Sequence, residues 1–221
     1  MTVRLAVFDC DGTLSDGQAA VCAAMAQAFA DVGVAVPPSN AIRRIVGLSL
    51  PVAMRHLAPD EEPGVHARLV DAYRAAFFRA REQGLVAEPL YDGIRELLTS
   101  LHGKGWRLGV ATGKGDRGLR GCLVNHGIFD LFVTLQTADR HPSKPDPAML
   151  TAALLETGAD AADTVMIGDT AFDMAMARAA GCRALGVAWG YHAPAELIEA
   201  GAEAVAENPA ELEELIDAGT R

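Results

Sequence analysis

The sequence has little positive charge. Nineteen Lys and Arg stand against 29 Asp and Glu, a formal net charge of -10 at pH 7. A field of that sign repels phosphate backbones and anionic lipid, so neither nucleic acid nor a membrane surface is an expected partner. A small anionic ligand remains compatible with it where local cations gather. Cysteine is sparse too: Cys10, Cys22, Cys122 and Cys182 are scattered, no two form C-x-x-C, and the 6 histidines never fall in an H-x-x-x-H pair. This argues against zinc and against a disulfide framework. No apolar run reaches membrane-spanning length. "RLAVFD" reads as the start of a strand and not as a secretory leader, so the expected compartment is the cytoplasm.

What is present is a series of short apolar runs that end in polar residues. "RLAVFD" ends at Asp9, "WRLGVAT" at Thr112 and "DTVMIGD" at Asp169. Each has the brief, near-continuous form of a strand buried on both faces of a parallel sheet. "CRALGV" and "AEAVAE" read as further, weaker strands, and the run "LFVTLQT" precedes the loop of Lys144. Between them lie helical patterns. Ile94, Leu97, Leu98 and Leu101 form one stripe, with Asp92 expected as N-cap and Gly103 as a stop. Asp146 and Pro147 are expected to open the helix carrying Met149, Leu150, Ala153 and Leu154, and Thr170 to cap the helix of Met174 and Ala177. The alternation implies an α/β doubly wound fold.

Residues 17–88 differ. Val65, Leu69, Tyr73 and Phe77 recur every fourth residue as one helical face, and "VPPS" and "APDEEPG" divide the segment into helices. The reading is a helical insertion, 17–88, in a core formed by 1–16 and 89–221.

In a doubly wound sheet, ligands bind in the crevice at the carboxyl ends of the strands. Asp9, Asp11, Thr112, Asp169 and Asp173 fall at or just beyond such ends, and Lys144 lies in the proline-stiffened loop "SKPDP". Carboxylates gathered on one rim repel one another unless a cation sits among them. Oxygen-only ligands suit Mg²⁺, and a Thr hydroxyl with a Lys ammonium completes a phosphate site. The bland alternatives are an Asx-type turn for Asp9 and Asp11, a solvated helix residue for Asp173 and a solvent lysine for Lys144.

Taken together, "DCDGTLSD", Thr112, Lys144 in "KPDP" and "GDTAFD" resemble, in order, the four motifs of the haloacid dehalogenase-like (HAD) superfamily. The insertion resembles the helical cap of its phosphoglycolate phosphatase-like branch. The resemblance implies a phosphatase acting on a small phosphorylated metabolite. Asp9 would be the nucleophile that forms an aspartyl-phosphate, and Asp11 the general acid and base. Mg²⁺ would be held by Asp9, the backbone carbonyl of Asp11 and Asp169, with Asp173 as ligand or support. Thr112 and Lys144 would bind phosphoryl oxygens, assisted by backbone N–H groups near Gly12 and Gly113. Cys10 is expected to point away from the site, into the core.

The sequence departs from the family pattern at a few positions. Gly113 stands where Asn is frequent, Gly17 where Ser is common, and Leu50 where the sugar-phosphate mutases of the branch tend to have Arg. The last weakens a β-phosphoglucomutase-like phosphotransferase and favours hydrolysis. Lys114 resembles the T-x-K of phosphoglycolate phosphatases and pyrophosphatases, and could contact a second anionic group of the substrate. Arg43, Arg44 and Arg55 are candidates for the same task. Pyrophosphate, nucleotides and sugar phosphates stand as alternative substrates.

A rival reading comes from Gly113, Gly115 and Gly118, spaced G-x-G-x-x-G after a strand as in dinucleotide-dependent oxidoreductases. The turn is not the first βα turn of the chain, which disfavours it. A phospho-accepting receiver domain places its acidic residues before Thr and Lys, and a P-loop would need Lys-Ser/Thr where Gln18-Ala19 stand.

Overall fold

The computed structural model describes residues 2–219. Its centre is a sheet in the order β3-β2-β1-β4-β5-β6. The strands are β1 (Leu5–Phe8), β2 (Arg107–Thr112), β3 (Phe132–Thr137), β4 (Thr164–Gly168), β5 (Arg183–Val187) and β6 (Ala204–Ala206). Every pairing is parallel, with Phe8 opposite both Val110 and Ile167. The chain builds outward from β1 to β3, then returns to pair β4 on the other side of β1. That reversal opens a crevice at the carboxyl ends of β1 and β4.

Helices cover both faces. One core layer joins Ala6 and Phe8 to Leu98 of α5 (Ile94–Gly103), Leu119 of α6 (Asp116–Asn125) and Leu212 of α10 (Pro209–Ala218). The other joins Leu5 and Val7 to Leu150 of α7 (Ala148–Thr157), Met174 of α8 (Ala171–Ala179) and Leu197 of α9 (Pro194–Ala200). Alternate residues of β1 thus serve opposite layers, which is why its sequence is apolar throughout.

The segment between β1 and α5 is helical: α1 (Gln18–Val32), α2 (Ser39–Arg44), α3 (Leu50–Leu57) and α4 (Pro63–Glu82). These helices bury their own cluster, including Met25, Phe29, Ile42, Met54 and Leu69, and Tyr191 of the core joins it. The Val65–Phe77 stripe packs into this cluster. The two connections to the core run side by side. Asp16 N–H donates to Pro89 O at 2.8 Å, Tyr91 N–H to Leu14 O at 3.1 Å, and Ser15 bridges Leu90 antiparallel.

Two expected caps shift by one residue. Gly93, at φ 86°, is the N-cap of α5 in place of Asp92, because the chain enters that helix in the left-handed region that only glycine adopts freely. Pro147 is the N-cap of α7, while Asp146 accepts from Ala148 N–H at 2.9 Å. Thr170 caps α8 as expected. Among the described residues, no helix is long and apolar enough to cross a membrane.

The α5 stripe offers a direct check on the core. Leu98 is fully buried and Leu155 is 80% exposed. Leu98→Ala is expected to lower stability by about 2–5 kcal/mol in urea titrations, and Leu155→Ala by less than about 0.5 kcal/mol.

Candidate active site

Asp9 follows the last residue of β1 and is almost fully buried. Its Oδ1 accepts from Cys10 N–H at 2.6 Å, and its Oδ2 lies 3.0 Å from Lys144 Nζ. Lys144 arrives from the loop after β3 and is also buried. Its ammonium donates to Asp173 Oδ1 at 2.6 Å. Asp173 Oδ2 in turn accepts from the Thr170 hydroxyl at 2.7 Å and from Thr170 N–H at 3.1 Å. Asp173 is thus the third residue of a capping box and is fully buried, so it is no solvated helix residue. Lys144 is likewise no solvent lysine.

Asp169 follows β4 and faces Asp9 across the crevice. Its Oδ1 accepts from the Thr13 hydroxyl at 2.8 Å and its Oδ2 from Tyr191 N–H at 2.9 Å. Gly12 packs against it. The backbone there has φ 82°, and a Cβ would come within 2.2 Å of Asp169 Oδ2. Both facts require glycine. Gly12 is not the free amide donor expected from the sequence, since its N–H donates to Ser15 O at 2.9 Å. The tight turn that brings Thr13 to Asp169 uses that amide.

Asp11 has a different neighbourhood. Its Oδ1 lies 2.9 Å from Lys114 Nζ, and Lys114 also donates to Glu88 Oε1 at 2.6 Å. Arg81 of α4 donates to Glu88 Oε2 at 2.6 Å. The series Asp11–Lys114–Glu88–Arg81 alternates in charge from the core to the helical insertion. Lys114, expected to meet a second anion of the substrate, therefore already has two carboxylate partners. Gly17 lies beside this acid, where a Cβ would stand 3.1 Å from Asp11 Oδ1.

Thr112 ends β2 and is buried, its hydroxyl oxygen accepting from Lys114 N–H at 3.2 Å. At Gly113 a Cβ would lie 2.5 Å from Leu48 O and 2.6 Å from Gly47 O. The absent Asn is thereby explained: the loop before α3 occupies that space. The same loop is tied down by Ser49 N–H donating to Ser143 Oγ at 2.8 Å. Arg44 pairs with Glu196 of α9 at 2.6 Å, at the surface, and Arg43 and Arg55 are exposed.

The glycine-spaced turn does not present a vacant anion site at its helix. Asp139 Oδ2 accepts from Asp116 N–H at 2.8 Å, at the first residue of α6, and lies 2.6 Å from where a Gly115 Cβ would stand. A carboxylate thus sits where a pyrophosphate would approach that helix N-terminus. Cys10 points into the core as expected, with its Sγ 4.0 Å from Cys122 Sγ.

Asp9, Asp169 and Asp173 each offer a carboxylate oxygen within 4.8 Å of the others. Three buried carboxylates face one ammonium, and Asp9 Oδ2 accepts no aligned hydrogen bond despite its burial. Such an oxygen-only, charge-excess set fits a hard divalent cation. The titration behaviour agrees. Burial pushes the Asp9 carboxyl up to about 7, Lys144 opposing and Asp173 and Asp11 reinforcing. Burial, then Asp9 and Asp173, holds Asp169 well above the ordinary carboxylate range. Burial also raises Asp11, with Lys114 opposing.

Sequence reasoning assembled Asp9, Asp11, Thr112, Lys144, Asp169 and Asp173, and the fold brings them to one crevice. It missed Glu88, Arg81, Thr13 and Tyr191. Glu88 and Arg81 lie far from any strand end, and Tyr191 acts through its backbone, which no side-chain pattern announces. Thr13 stood inside the quoted motif without a role.

A family profile described as haloacid dehalogenase-like hydrolase matches residues 6–187. The chain belongs to this family, and within it stands with the phosphatases. It is 38% identical over 199 residues to a probable phosphatase IndB of Dickeya dadantii, covering 87% of this chain and 84% of that protein. It is 29% identical over 198 residues to a phosphoglycolate phosphatase of Pseudomonas fluorescens, covering 86% of this chain and 71% of that one. Among solved structures, a hydrolase from Pseudomonas syringae superposes with a TM-score of 0.83 at 26% identity, over 97% of this chain and 98% of that chain.

The raised carboxyls set a sign for stability. In metal-free protein a carboxyl that titrates at about 7 when folded and at its ordinary 3.8 when unfolded keeps its proton only in the fold across that interval. The folded state then binds more protons, so stability falls as pH rises through the interval. Thermal melts of metal-free protein are expected to show this fall, and Asp169→Asn, which removes one such group, to make it shallower.

Proposed function

We propose that this chain is a cytoplasmic, Mg²⁺-dependent phosphatase that hydrolyses a small phosphomonoester through a phosphorylated Asp9. The observation that carries the reading is the pairing of two buried acids at the end of β1, each with its own lysine and its own neighbours. Asp9 sits beside Lys144 among the clustered carboxylates, and Asp11 sits two residues on, beside Lys114 and the helical insertion. Residues 17–88 act as a cap on the core of 1–16 and 89–221.

In the first half-reaction an Asp9 oxygen bonds to phosphorus as the ester P–O bond breaks. Asp11, whose carboxyl burial raises above its ordinary range, gives its proton to the departing alkoxide. In the second, Asp11 takes a proton from water, the oxygen attacks phosphorus, and Asp9 and inorganic phosphate separate. Lys144 has a donor left after Asp9 and Asp173 for a phosphoryl oxygen, and Thr112 and the Gly113 amide supply others. Asp9, the Asp11 carbonyl and Asp169 would hold Mg²⁺, while Asp173 mainly orients Lys144. The ion, when bound, supplies positive charge against the transferring group.

Phosphate release from simple phosphomonoesters, 2-phosphoglycolate among them, is expected with Mg²⁺ and is lost with excess EDTA. Asp9→Asn should reduce it to background. Activity that survives either treatment overturns the mechanism. Asp11→Asn is expected to lower kcat by about 10²–10⁴ while phosphoenzyme still forms from esters with good leaving groups. Mg²⁺ should raise the Tm more above pH 7 than at pH 5, because it binds the deprotonated carboxylates.

A further inference from the structure

A cavity of about 660 Å³ lies between the cap and the turn after β2, with Asp11 on its wall. Asp11 must reach the oxygen that leaves phosphorus. The alcohol half of the substrate therefore extends from Asp11 into this cavity. The wall facing it is apolar: Val21 and Met25 from α1, Leu48 and Leu50 from the loop and α3, Tyr73 and Phe77 from α4.

The cations on the wall are already partnered or turned outward. Lys114 is held between Asp11 and Glu88, and Arg81 lies on Glu88. The Arg117 guanidinium lies over the Phe78 ring at 4.7 Å. Arg74 is 60% exposed beside Asp71. A carboxylate or second phosphate placed deep in this cavity would meet Asp11, and the Lys114 ammonium beside it is already shared between Asp11 and Glu88. The two-carbon chain of phosphoglycolate would also leave most of the volume unfilled. Cavities of this size and lining accommodate ring-bearing ligands.

We propose that the substrate is the phosphate monoester of an uncharged alcohol with an apolar, ring-sized body, recognised by the wall formed by α1, α3 and α4. The inference rests on the phosphatase reading and narrows its substrate class. Lys114 then acts as a positioning residue for Asp11 and makes no contact with a distal anion.

The test compares kcat/KM, with Mg²⁺, for 2-phenylethyl phosphate, ethyl phosphate and 2-phosphoglycolate. The first two release primary alkoxides of similar basicity, so their difference reads the fit of the ring. 2-Phenylethyl phosphate is expected to exceed both others by about tenfold to a hundredfold. Leu50→Asn, a near-isosteric change at a half-buried position, should reduce that ratio several-fold. 2-Phenylethanol should inhibit ethyl phosphate hydrolysis competitively, and glycolate should not. Equal rates on the first two esters, a preference for 2-phosphoglycolate, or a ratio untouched in a folded Leu50→Asn variant would overturn this substrate class and leave the phosphatase reading standing. No phosphate release from any ester, or full activity in Asp9→Asn, would overturn the phosphatase reading itself.

Discussion

The buried ammonium of Lys144 is the constraint on which the site is built. A fully buried cation is tolerable only with counter-charges at contact distance, and it has two, Asp9 at 3.0 Å and Asp173 at 2.6 Å. Those partners come from the end of β1 and the first turn of α8, and the lysine from the loop after β3. One ion triad therefore fixes three separate chain segments in one geometry. Thr170 extends the constraint by orienting Asp173, so the helix cap and the buried ion triad share a carboxylate. None of these groups can relax alone without leaving a buried charge unpaired.

The parallel sheet makes this convergence possible. Because the order reverses at β1, the ends of β1 and β4 are adjacent, and Asp9 and Asp169 meet across one crevice. The flanking layers then exclude water, which raises the carboxyls of Asp9, Asp11 and Asp169 above their ordinary range. Burial opposes the charge of Asp9 and Asp169, while the arrangement demands a cation to complete it. The same low-dielectric setting raises the Asp11 carboxyl, with Lys114 opposing.

Much of this was legible in the sequence. Apolar runs gave the strands, since a strand buried on both faces leaves an unbroken hydrophobic signature. The chemistry-bearing residues at their ends could be gathered by one topological rule. Partners that depend on tertiary approach were not legible. Glu88 lies in an irregular segment with no pattern, yet it decides what Lys114 does. Gly113 could be noted as a departure, but the carbonyls of Gly47 and Leu48 that exclude a side chain there belong to a segment remote in sequence. The glycine spacing of 113, 115 and 118 misled because spacing says nothing of the Asp139 carboxylate at the helix start. The caps at Asp92 and Asp146 missed by one residue, since backbone conformation at Gly93 and Pro147 outweighed side-chain preference.

The paired connections at Ser15–Asp16 and Pro89–Leu90 carry a consequence of another kind. The chain leaves the core and re-enters it at one point, through two segments hydrogen-bonded to each other. Everything between them can be lengthened, shortened or replaced without altering a single strand register in the sheet. The sheet and the helical segment are thereby joined in sequence through a narrow isthmus, while their contacts at Lys114, Gly113 and Ser143 are made through space.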